Sequence, residues 1–285
     1  MMGAVVKNTL ASEAVEANKR LFVVSIMPCV AKKYECSVPE LSTALAGAAA
    51  EGANAAAATE AKALAPNLVP NACSDAALAD QAEPDVDAVL TVREFDRLLR
   101  MIGVNCANLF EVPFDNPLGT STGAATIFGR TGGVMEAALR SAAFLITGEN
   151  PDFSACDTTA ATPEVPWVSR ELTVGDATVR IAVASGLENT AKLLDALERG
   201  EASFDFVEIM ACPGGCVAGG GQPIRFNDEL GERRADVLNK LDANDKLRYS
   251  HENPDIQKLY EDWIGQPLSH RSHAWLHTDQ ETWQI

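Results

Sequence analysis

The chain has 285 residues, of which 47% are hydrophobic and 22% are charged, so the composition is that of a globular protein and not of a disordered or fibrous one. Its 40 acidic residues outnumber its 23 basic residues, and the net charge of −17 argues against broad binding to nucleic acid. The apolar run from Leu21 to Ala31 is shorter than the ~20 residues that span a bilayer. The first residues lack the basic n-region of a signal peptide, so we expect a cytoplasmic protein without a membrane span; the alternative is a translocated subunit whose signal lies elsewhere.

Two short strands are predicted in the first part of the chain. Phe22 to Met27 is apolar and partly β-branched, which predicts a buried strand that ends just before Cys29. Val86 to Leu90 predicts a second strand. Thr91 fits the N-cap of the helix that follows, with Glu94 as its capping-box partner. These residues predict one strand–helix unit.

An alanine-rich stretch separates these strands, and its segment from Ala44 to Ala65 contains 13 alanines. Alanine has a high helix propensity, but the stretch has few large apolar side chains that could anchor it to a core. We interpret residues 40–84 as a surface insertion in a first lobe formed by residues 1–125.

Residues 126–285 are predicted to form a second lobe with a C-terminal helical segment. The Gly175-Asp176 turn predicts a hairpin, and Asn189 fits the N-cap of a helix that Gly200 ends. The predicted elements, in chain order, are the helix Gly133 to Ile146, the strands Glu171 to Val174 and Val179 to Ala184, the helix from Asn189, the strand Phe206 to Met210 and the helix from Pro254.

Strands that alternate with helices predict an α/β fold, with two lobes of mostly parallel sheets flanked by helices. The lobes contain similar segments, because Ile26-Met-Pro-Cys29 is echoed by Ile209-Met-Ala-Cys212. Each segment ends a predicted strand with a cysteine. Ligands bind at the carboxyl ends of the strands in open α/β sheets, so we expect a cluster site between the lobes at these strand ends.

The seven cysteines are candidates for metal ligation or catalysis. Their odd number argues against a disulfide framework and favours reduced thiols. Cys212 and Cys216 flank a Pro-Gly-Gly turn, and further glycines follow up to Pro223. Thiolates suit a soft metal, and the glycines would let the backbone approach a bulky iron–sulfur cluster and donate N–H groups to it. A phosphate-binding loop would need a Gly-Lys-Ser/Thr ending, which is absent.

Two alternatives to an iron–sulfur cluster stay open for these cysteines. One is that they are inert and buried. The second is a zinc site, although zinc sites rarely need so much glycine. Its four ligands would be Cys29, Cys36, Cys212 and Cys216. The run of four closely spaced cysteines that is common in ferredoxins is absent, so a cluster would take its ligands from distant segments.

Lys32 is a further candidate, since it lies three residues after Cys29 and hence on the same face if this turn is helical. A lysine beside an anionic cluster would neutralise charge and donate hydrogen bonds. The alternative is an ordinary surface lysine.

Two long motifs resemble two of the three signatures of the FeFe hydrogenases. They are Ile26-Met-Pro-Cys-Val-Ala-Lys-Lys-Tyr-Glu35 and Met210-Ala-Cys-Pro-Gly-Gly-Cys-Val-Ala-Gly-Gly-Gly-Gln-Pro223. The resemblance covers nearly the whole chain except the alanine-rich insertion, and its further segments are Asp87 to Glu94, Phe128 to Arg140, Ser250 to Pro254 and Ser272 to Thr278.

The resemblance implies an H-cluster, which is a 4Fe–4S cubane joined through a cysteine sulfur to a diiron unit that carries CO, cyanide and a bridging dithiolate. By position, Cys29 and Cys212 would bind the cubane. Cys216 would bind the cubane and bridge to the diiron unit, and Lys32 would hydrogen-bond a cyanide. The residues expected beside the diiron unit are Met27, Phe128 and Met210, for which plain core packing is the alternative.

Three features depart from the family pattern. The first signature, Thr-Ser-Cys-Cys-Pro, is nowhere in this chain and is expected upstream of Met1, together with acidic residues of the proton route. That signature supplies the fourth cubane ligand and the cysteine that passes protons to the diiron unit. Arg130 replaces a residue that is usually small, and the insertion after Pro39 is unusual.

The resemblance implies the reversible reduction of protons to hydrogen, with electrons that arrive through the cubane. The chain would be a C-terminal portion of the hydrogenase core and incomplete alone. Its expected partners are the missing N-terminal part and a ferredoxin or ferredoxin-like domains or subunits. Because the chain has few clustered cations to dock an acidic ferredoxin, we expect electrons to enter through domains or subunits outside it. The alternative function is that of a non-catalytic iron–sulfur assembly or sensory relative.

Overall fold

The computed structural model of the chain describes residues 1–19, 21–38, 84–151, 165–224 and 230–278. Its strands are β1 Val24–Met27, β2 Ala88–Thr91, β3 Trp167–Val174, β4 Ala177–Ser185 and β5 Phe206–Met210. Its α-helices are α1 Met2–Glu16, α2 Ala31–Glu35, α3 Val92–Met101, α4 Gly123–Thr126, α5 Gly133–Thr147, α6 Leu187–Glu198, α7 Leu230–Asn244, α8 Pro254–Leu259 and α9 His270–Leu276. This is an α/β fold, as the alternation of strands and helices predicts.

The chain divides into two compact units. One unit comprises Met1–Cys106 with Lys258–Ile285, and the other comprises Ala107–Gln257. This division differs from the lobes expected at residues 1–125 and 126–285, because the segment from Lys258 groups with the N-terminal part. The alanine-rich insertion lies outside the described residues, apart from Pro84.

The first unit contains a parallel pair of strands, in which Val24 is aligned with Ala88 and Met27 with Thr91. β1 begins two residues later than the sequence predicts. Helix α1, which the sequence analysis did not predict, is tied to this sheet by a buried ion pair of 3.0 Å between Lys7 Nζ and Asp87 Oδ2.

Helix α3 begins with the predicted capping box. The backbone N–H of Glu94 donates to Thr91 Oγ1 at 3.2 Å, and the backbone N–H of Thr91 donates to Glu94 Oε2 at 2.8 Å. Two backbone donors that the helix itself leaves without acceptors are thereby satisfied. The helix stops at Met101, and Gly103 follows with a φ of +76°.

The second unit contains a mixed sheet in the order β3-β4-β5. β3 and β4 form the predicted antiparallel hairpin, whereas β4 and β5 are parallel. Helix α5 packs on this sheet, since Met135 and Leu139 form a core cluster with Ile181 and Val183. The strand predicted over Phe206–Met210 is confirmed at both ends.

The start of helix α6 differs from the prediction. The helix begins at Leu187, with Gly186 as its N-cap at a φ of +90°, so Asn189 lies inside the first turn. The Asn189 side chain donates to the carbonyl of Ser185 at 2.8 Å. The prediction is wrong because β4 runs as far as Ser185 and the helix follows after one glycine.

The described residues after β5, 211–224 and 230–278, contain three further α-helices, two of which the sequence analysis did not predict. α8 begins at Pro254 as predicted, and Asn253 Oδ1 accepts from the backbone N–H of Asp255 at 2.9 Å. A π-helical turn, Tyr260–Ile264, continues it. α7 and α9 were not anticipated. No helix in the described ranges is both long enough and apolar enough to cross a membrane.

A network of charged side chains is buried in the second unit. Arg130 and Arg140 both bind Glu136, and Arg140 Nη2 lies 2.8 Å from Asp242 Oδ2. Arg248 binds the same Asp242 oxygen at 2.8 Å. Burial alone would raise the pKa of Asp242, but the hydrogen bonds from Arg140 and Arg248 outweigh it and hold the pKa below its ordinary value. The network fixes α5 to α7.

Candidate functional site

Two cysteines lie in a glycine turn at the carboxyl end of β5. Met210, the last residue of the strand, is 8% exposed, and Cys212 and Cys216 are both half-buried. The turn is closed by a hydrogen bond of 3.0 Å from the N–H of Gly215 to the carbonyl of Cys212. Cys216 Sγ lies 3.8 Å from Met210 Sδ. The structure therefore brings together two sulfur-bearing side chains that the sequence analysis singled out, those of Met210 and Cys216, and it places Cys212 in the same turn.

The end of the neighbouring strand β4 holds this turn in place. Ser185 Oγ accepts a hydrogen bond of 2.8 Å from the N–H of Gly214 and donates one of 3.2 Å to the carbonyl of Cys212. The N–H of Gly186 donates to the carbonyl of Met210 at 2.8 Å. Sequence reasoning missed Ser185. The sequence signal that could have found it is a polar residue at the end of an apolar strand.

Gly215, the second of the two glycines between the cysteines, is required by a close backbone contact. Gly215 has a φ of +83°, and a Cβ atom added there would lie 2.7 Å from the backbone nitrogen of Thr131. An added side chain would therefore force the turn or its neighbour to move. The contact that excludes a side chain here is made with the protein's own backbone.

Arg234 on helix α7 holds the segment that follows Cys216. Its guanidinium donates to the carbonyl of Val217 at 2.8 Å and to that of Pro223 at 2.7 Å. The glycine-rich segment has few side chains of its own with which to pack, so these bonds restrain its backbone. Sequence reasoning missed this residue as well, because nothing in the sequence links it to the cysteine turn.

Phe128 and Arg130 precede Thr131, whose backbone lies against Gly215. Phe128 lies in the 3-10 turn Ile127–Gly129 and is 47% exposed. Arg130 is buried, binds Glu136 and donates to the carbonyl of Thr131 at 3.1 Å. The residue that departs from the family pattern is therefore part of the buried charge network.

The first unit contains the other cysteine turn, which is built differently. β1 ends at Met27, Cys29 follows after one proline, and helix α2 begins at Ala31. Cys29 thus precedes the helix and its N-cap, Val30, so the i, i+3 spacing does not put it on a helical face with Lys32. Lys32 forms an ion pair with Glu35 on the protein surface.

The next lysine connects α2 to the strand and helix behind it. Lys33 Nζ donates to the carbonyl of Val89 at 2.9 Å and lies 2.9 Å from Glu94 Oε2. The N–H of Thr91 and then Lys33 lower the pKa of Glu94 to about 2. Sequence reasoning did not single out Lys33 for these structural contacts, and the cluster contact expected of Lys32 stays a prediction.

The thiol chemistry of the cysteines is only partly as expected. Cys29, Cys106, Cys212 and Cys216 are thiols. Cys36, however, is disulfide-bonded, which contradicts the expectation of reduced thiols for this residue and removes it from the zinc alternative. Among the residues that the structure describes, no group of three or more His, Cys, Asp or Glu side chains is placed to hold a metal ion. The convergence of Cys29 with Cys212 and Cys216 stays a prediction.

Comparison with known families agrees with the two cysteine motifs. The model of the iron only hydrogenase large subunit, C-terminal domain, matches residues 1–50 and 73–220. That of the iron hydrogenase small subunit matches residues 228–280. The chain belongs to the iron-only hydrogenase family. Membership also confirms the resemblance that the sequence motifs carry, since both motifs begin within the large-subunit match.

Three relatives show how this hydrogenase family member compares with known proteins. The NADP-reducing hydrogenase subunit HndD of Solidesulfovibrio fructosivorans is 42% identical over 98% of this chain and 41% of its own length. The cytosolic iron-sulfur assembly component 3 of Mus musculus is 28% identical over 98% of this chain and 51% of its own length. A solved variant of the FeFe-hydrogenase HydA1 from Chlamydomonas reinhardtii is 32% identical and has a TM-score of 0.69, with 98% of this chain and 68% of that chain covered. The chain thus spans about half or less of the length of these curated relatives.

Proposed function

We propose that this chain forms part of the catalytic core of an FeFe hydrogenase and contributes to the reversible reduction of protons to hydrogen. The observation that carries the proposal is the turn at the end of β5, in which Cys216 Sγ lies 3.8 Å from Met210 Sδ and Cys212 is held by Ser185. Two half-buried thiols on a restrained backbone are suitable donors for an iron–sulfur cubane. Membership in the iron-only hydrogenase family supports the same cofactor.

In this proposal the H-cluster supplies the redox and hydrogen-splitting chemistry when it is bound. The cubane would be held by Cys29, Cys212 and Cys216, with Cys216 also bridging to the diiron unit. Lys32 would donate to a cyanide ligand, and Met27, Phe128 and Met210 would line the diiron unit. The donor set fits the group, because thiolates are the protein ligands that iron–sulfur clusters take.

The protein's own contribution is to hold the ligands in place. Ser185 and Arg234 restrain the backbone on both sides of Cys216, so the thiols meet a cluster with little loss of backbone freedom. Lys32 would have to leave Glu35 to reach a ligand. That exchange costs little, since an exposed ion pair contributes about 0–1 kcal/mol.

The remaining parts of the proposed enzyme lie outside these 285 residues. The fourth cubane ligand and the proton-donating cysteine would come from a segment with the Thr-Ser-Cys-Cys-Pro signature, either in cis or as a second chain. Electrons would arrive from a ferredoxin or from ferredoxin-like domains or subunits, and the cytoplasm is the proposed location.

A non-catalytic role is the second candidate function. The relative named cytosolic iron-sulfur assembly component 3 aligns with 98% of this chain, which is as much as HndD does. In this candidate the same cysteines would hold a cubane, and no diiron unit would be attached. The two candidates therefore differ in cofactor content, which can be measured.

The test is reconstitution of the chain with iron, sulfide and a synthetic diiron cofactor, with and without the segment that bears the first signature. We expect negligible hydrogen evolution from the chain alone, because a positioned proton donor contributes roughly 10²–10⁴ in rate. Addition of the segment should restore activity, and Cys216→Ala should then abolish it. The matched control is Cys106→Ala, which removes an exposed thiol outside the turn and should leave activity unchanged.

One outcome would overturn the expected incompleteness of the chain, and another would overturn its proposed catalytic role. Robust hydrogen evolution from the chain alone would show that the first signature is not needed. A complemented protein with an intact cubane, no diiron unit and no activity would favour the non-catalytic candidate.

A further inference from the structure

Glu208 is a buried carboxylate in the strand that leads to the cysteine turn. It lies two residues before Met210 and four before Cys212, and it is 9% exposed. Its two oxygens accept separate hydrogen bonds, one of 2.6 Å from the N–H of Gly132 and one of 2.7 Å from the N–H of Met135. Neither the motifs nor the proposed cofactor contacts involve this residue.

These two bonds replace a cap that the helix cannot supply by itself. The N-cap of α5 is Gly132, which has a φ of +77° and no side chain to accept from the first turn. The N–H groups of the first helical turn have no intrahelical acceptors. Glu208 reaches these N–H groups from β5. Its carboxylate, on the strand, accepts from backbone donors at the start of the helix and thereby joins the two elements.

The segment that Glu208 holds is the one against which the cysteine turn packs. Thr131 immediately precedes Gly132, and its backbone nitrogen would lie 2.7 Å from a Cβ atom at Gly215. Gly215 lies between Cys212 and Cys216. A shift of the backbone at Gly132 would therefore be transmitted to the turn through the contact of Thr131 with Gly215.

We propose that Glu208 is a positioning residue, which fixes the Thr131–Gly132 backbone and thereby sets the conformation of the turn that carries Cys212 and Cys216. This inference rests on the proposed function for the identity of the bound cluster, but not for the conformational coupling itself. Burial raises the pKa of Glu208, against the lowering effect of the Met135 and Gly132 amides. Burial therefore disfavours the charged form of this carboxylate. The interactions that it makes in this position are its two hydrogen bonds to the N-terminus of α5.

The first experiment measures hydrogen–deuterium exchange in the full chain without a cluster. Glu208→Gln keeps the size of the side chain but replaces one acceptor oxygen with a donor, so one backbone N–H loses its partner. We expect exchange to become about tenfold faster both at Gly132–Met135 and at Cys212–Cys216. Faster exchange at Gly132–Met135 alone, with the cysteine turn unchanged, would overturn the proposal.

Two further variants separate positioning from loss of charge and from unfolding. Glu171→Gln removes an exposed carboxylate from β3 and should change neither segment. Glu208→Asp keeps the charge but is one methylene shorter and cannot span both amides, so it should also accelerate exchange in both segments. Glu208→Gln could also accelerate exchange throughout β3 and β4, in which case Glu208→Asp is the deciding variant. Faster exchange of Glu208→Asp at both Gly132–Met135 and Cys212–Cys216 supports the proposal. Faster exchange at Gly132–Met135 alone overturns it.

The second experiment reads the effect on the cluster. The complemented chain is reconstituted with iron and sulfide, and the electron paramagnetic resonance spectrum of the reduced cubane is compared between variants. Glu208→Gln should lower the cubane signal at least threefold or change its line shape, whereas Glu171→Gln should match the original chain. An unchanged spectrum in Glu208→Gln would overturn the proposal. Failure of the original chain to bind any cubane would instead refute the proposed function, and the exchange result would stand by itself.

Discussion

β1 and β5 both end at a methionine that lies two residues before a cysteine, but different interactions hold the turns that follow. After β5, Cys212 lies in a turn that is bonded to Ser185 and packed on Thr131. After β1, Cys29 leads into a five-residue helix whose charged side chains lie at the surface. One turn is restrained by buried contacts and glycine geometry, whereas the helix after the other is held by an exposed ion pair, by a hydrogen bond from Lys33 to the carbonyl of Val89 and by the disulfide of Cys36. Similar sequence at two strand ends thus gives turns that differ in expected rigidity.

The largest expected loss of stability comes from a change to the buried charges of the second unit. Asp242→Asn removes the carboxylate that faces Arg140 and Arg248, and it should lower the free energy of unfolding by roughly 3–5 kcal/mol. Denaturant unfolding measures the change. The matched control is Glu35→Gln in the first unit, where an exposed pair should contribute less than about 1 kcal/mol. Equal losses in the two variants would contradict the comparison.

The glycines of the β5 turn offer a smaller and more local test. Gly214→Ala and Gly215→Ala each place a side chain at a positive φ, which costs on the order of 1–3 kcal/mol. Gly215→Ala should cost more, because its Cβ atom would lie 2.7 Å from Thr131 N, whereas the nearest atom to a Cβ at Gly214 is the Ala218 methyl at 3.3 Å. Thermal unfolding of both variants ranks them. A Gly214→Ala variant that is the less stable of the two would refute the packing argument.

The smallest expected effect is a pH dependence in the first unit. The pKa of Glu94 is lowered to about 2 by the N–H of Thr91 and by Lys33, so its contribution to stability is complete above the ordinary value of 4.5 and is lost as the pH falls toward about 2. Glu94→Gln should therefore lose less stability than the original chain between these pH values. Urea unfolding at several pH values checks this, with Glu171→Gln as an exposed control. Parallel pH curves for Glu94→Gln and the original chain would show that the capping box contributes no pH dependence.

Local patterns predicted the elements that local interactions determine. The Thr91–Glu94 spacing predicted the capping box, and the apolar run Phe206–Met210 predicted β5 at both ends. Both depend on residues within one turn or one strand. Asn189 was a local prediction that failed, since the actual N-cap, Gly186, is set by where β4 ends.

Long-range contacts were beyond the reach of the sequence. Glu208 accepts hydrogen bonds from backbone amides 73 and 76 residues away. The donors are backbone groups, so the side chains at those positions do not indicate the contact. The signal that was available is an acidic residue inside an otherwise apolar strand. The role of Arg130 was likewise unreadable, because its partner Glu136 becomes a neighbour only when α5 forms. The motif identified the cysteine turn, but it did not indicate that Ser185 and Arg234 restrain its backbone.

The buried charge network and the acidic surface should respond differently to ionic strength. Arg140 and Asp242 are shielded from solvent, so mobile ions have little access to their interaction. The net charge of −17, in contrast, must be balanced by the surrounding electrolyte, whose screening length is about 8 Å at physiological salt. Added salt should weaken repulsion among the acidic groups at the surface and leave the interior attraction intact. The folded state is therefore expected to become more stable as potassium chloride is raised.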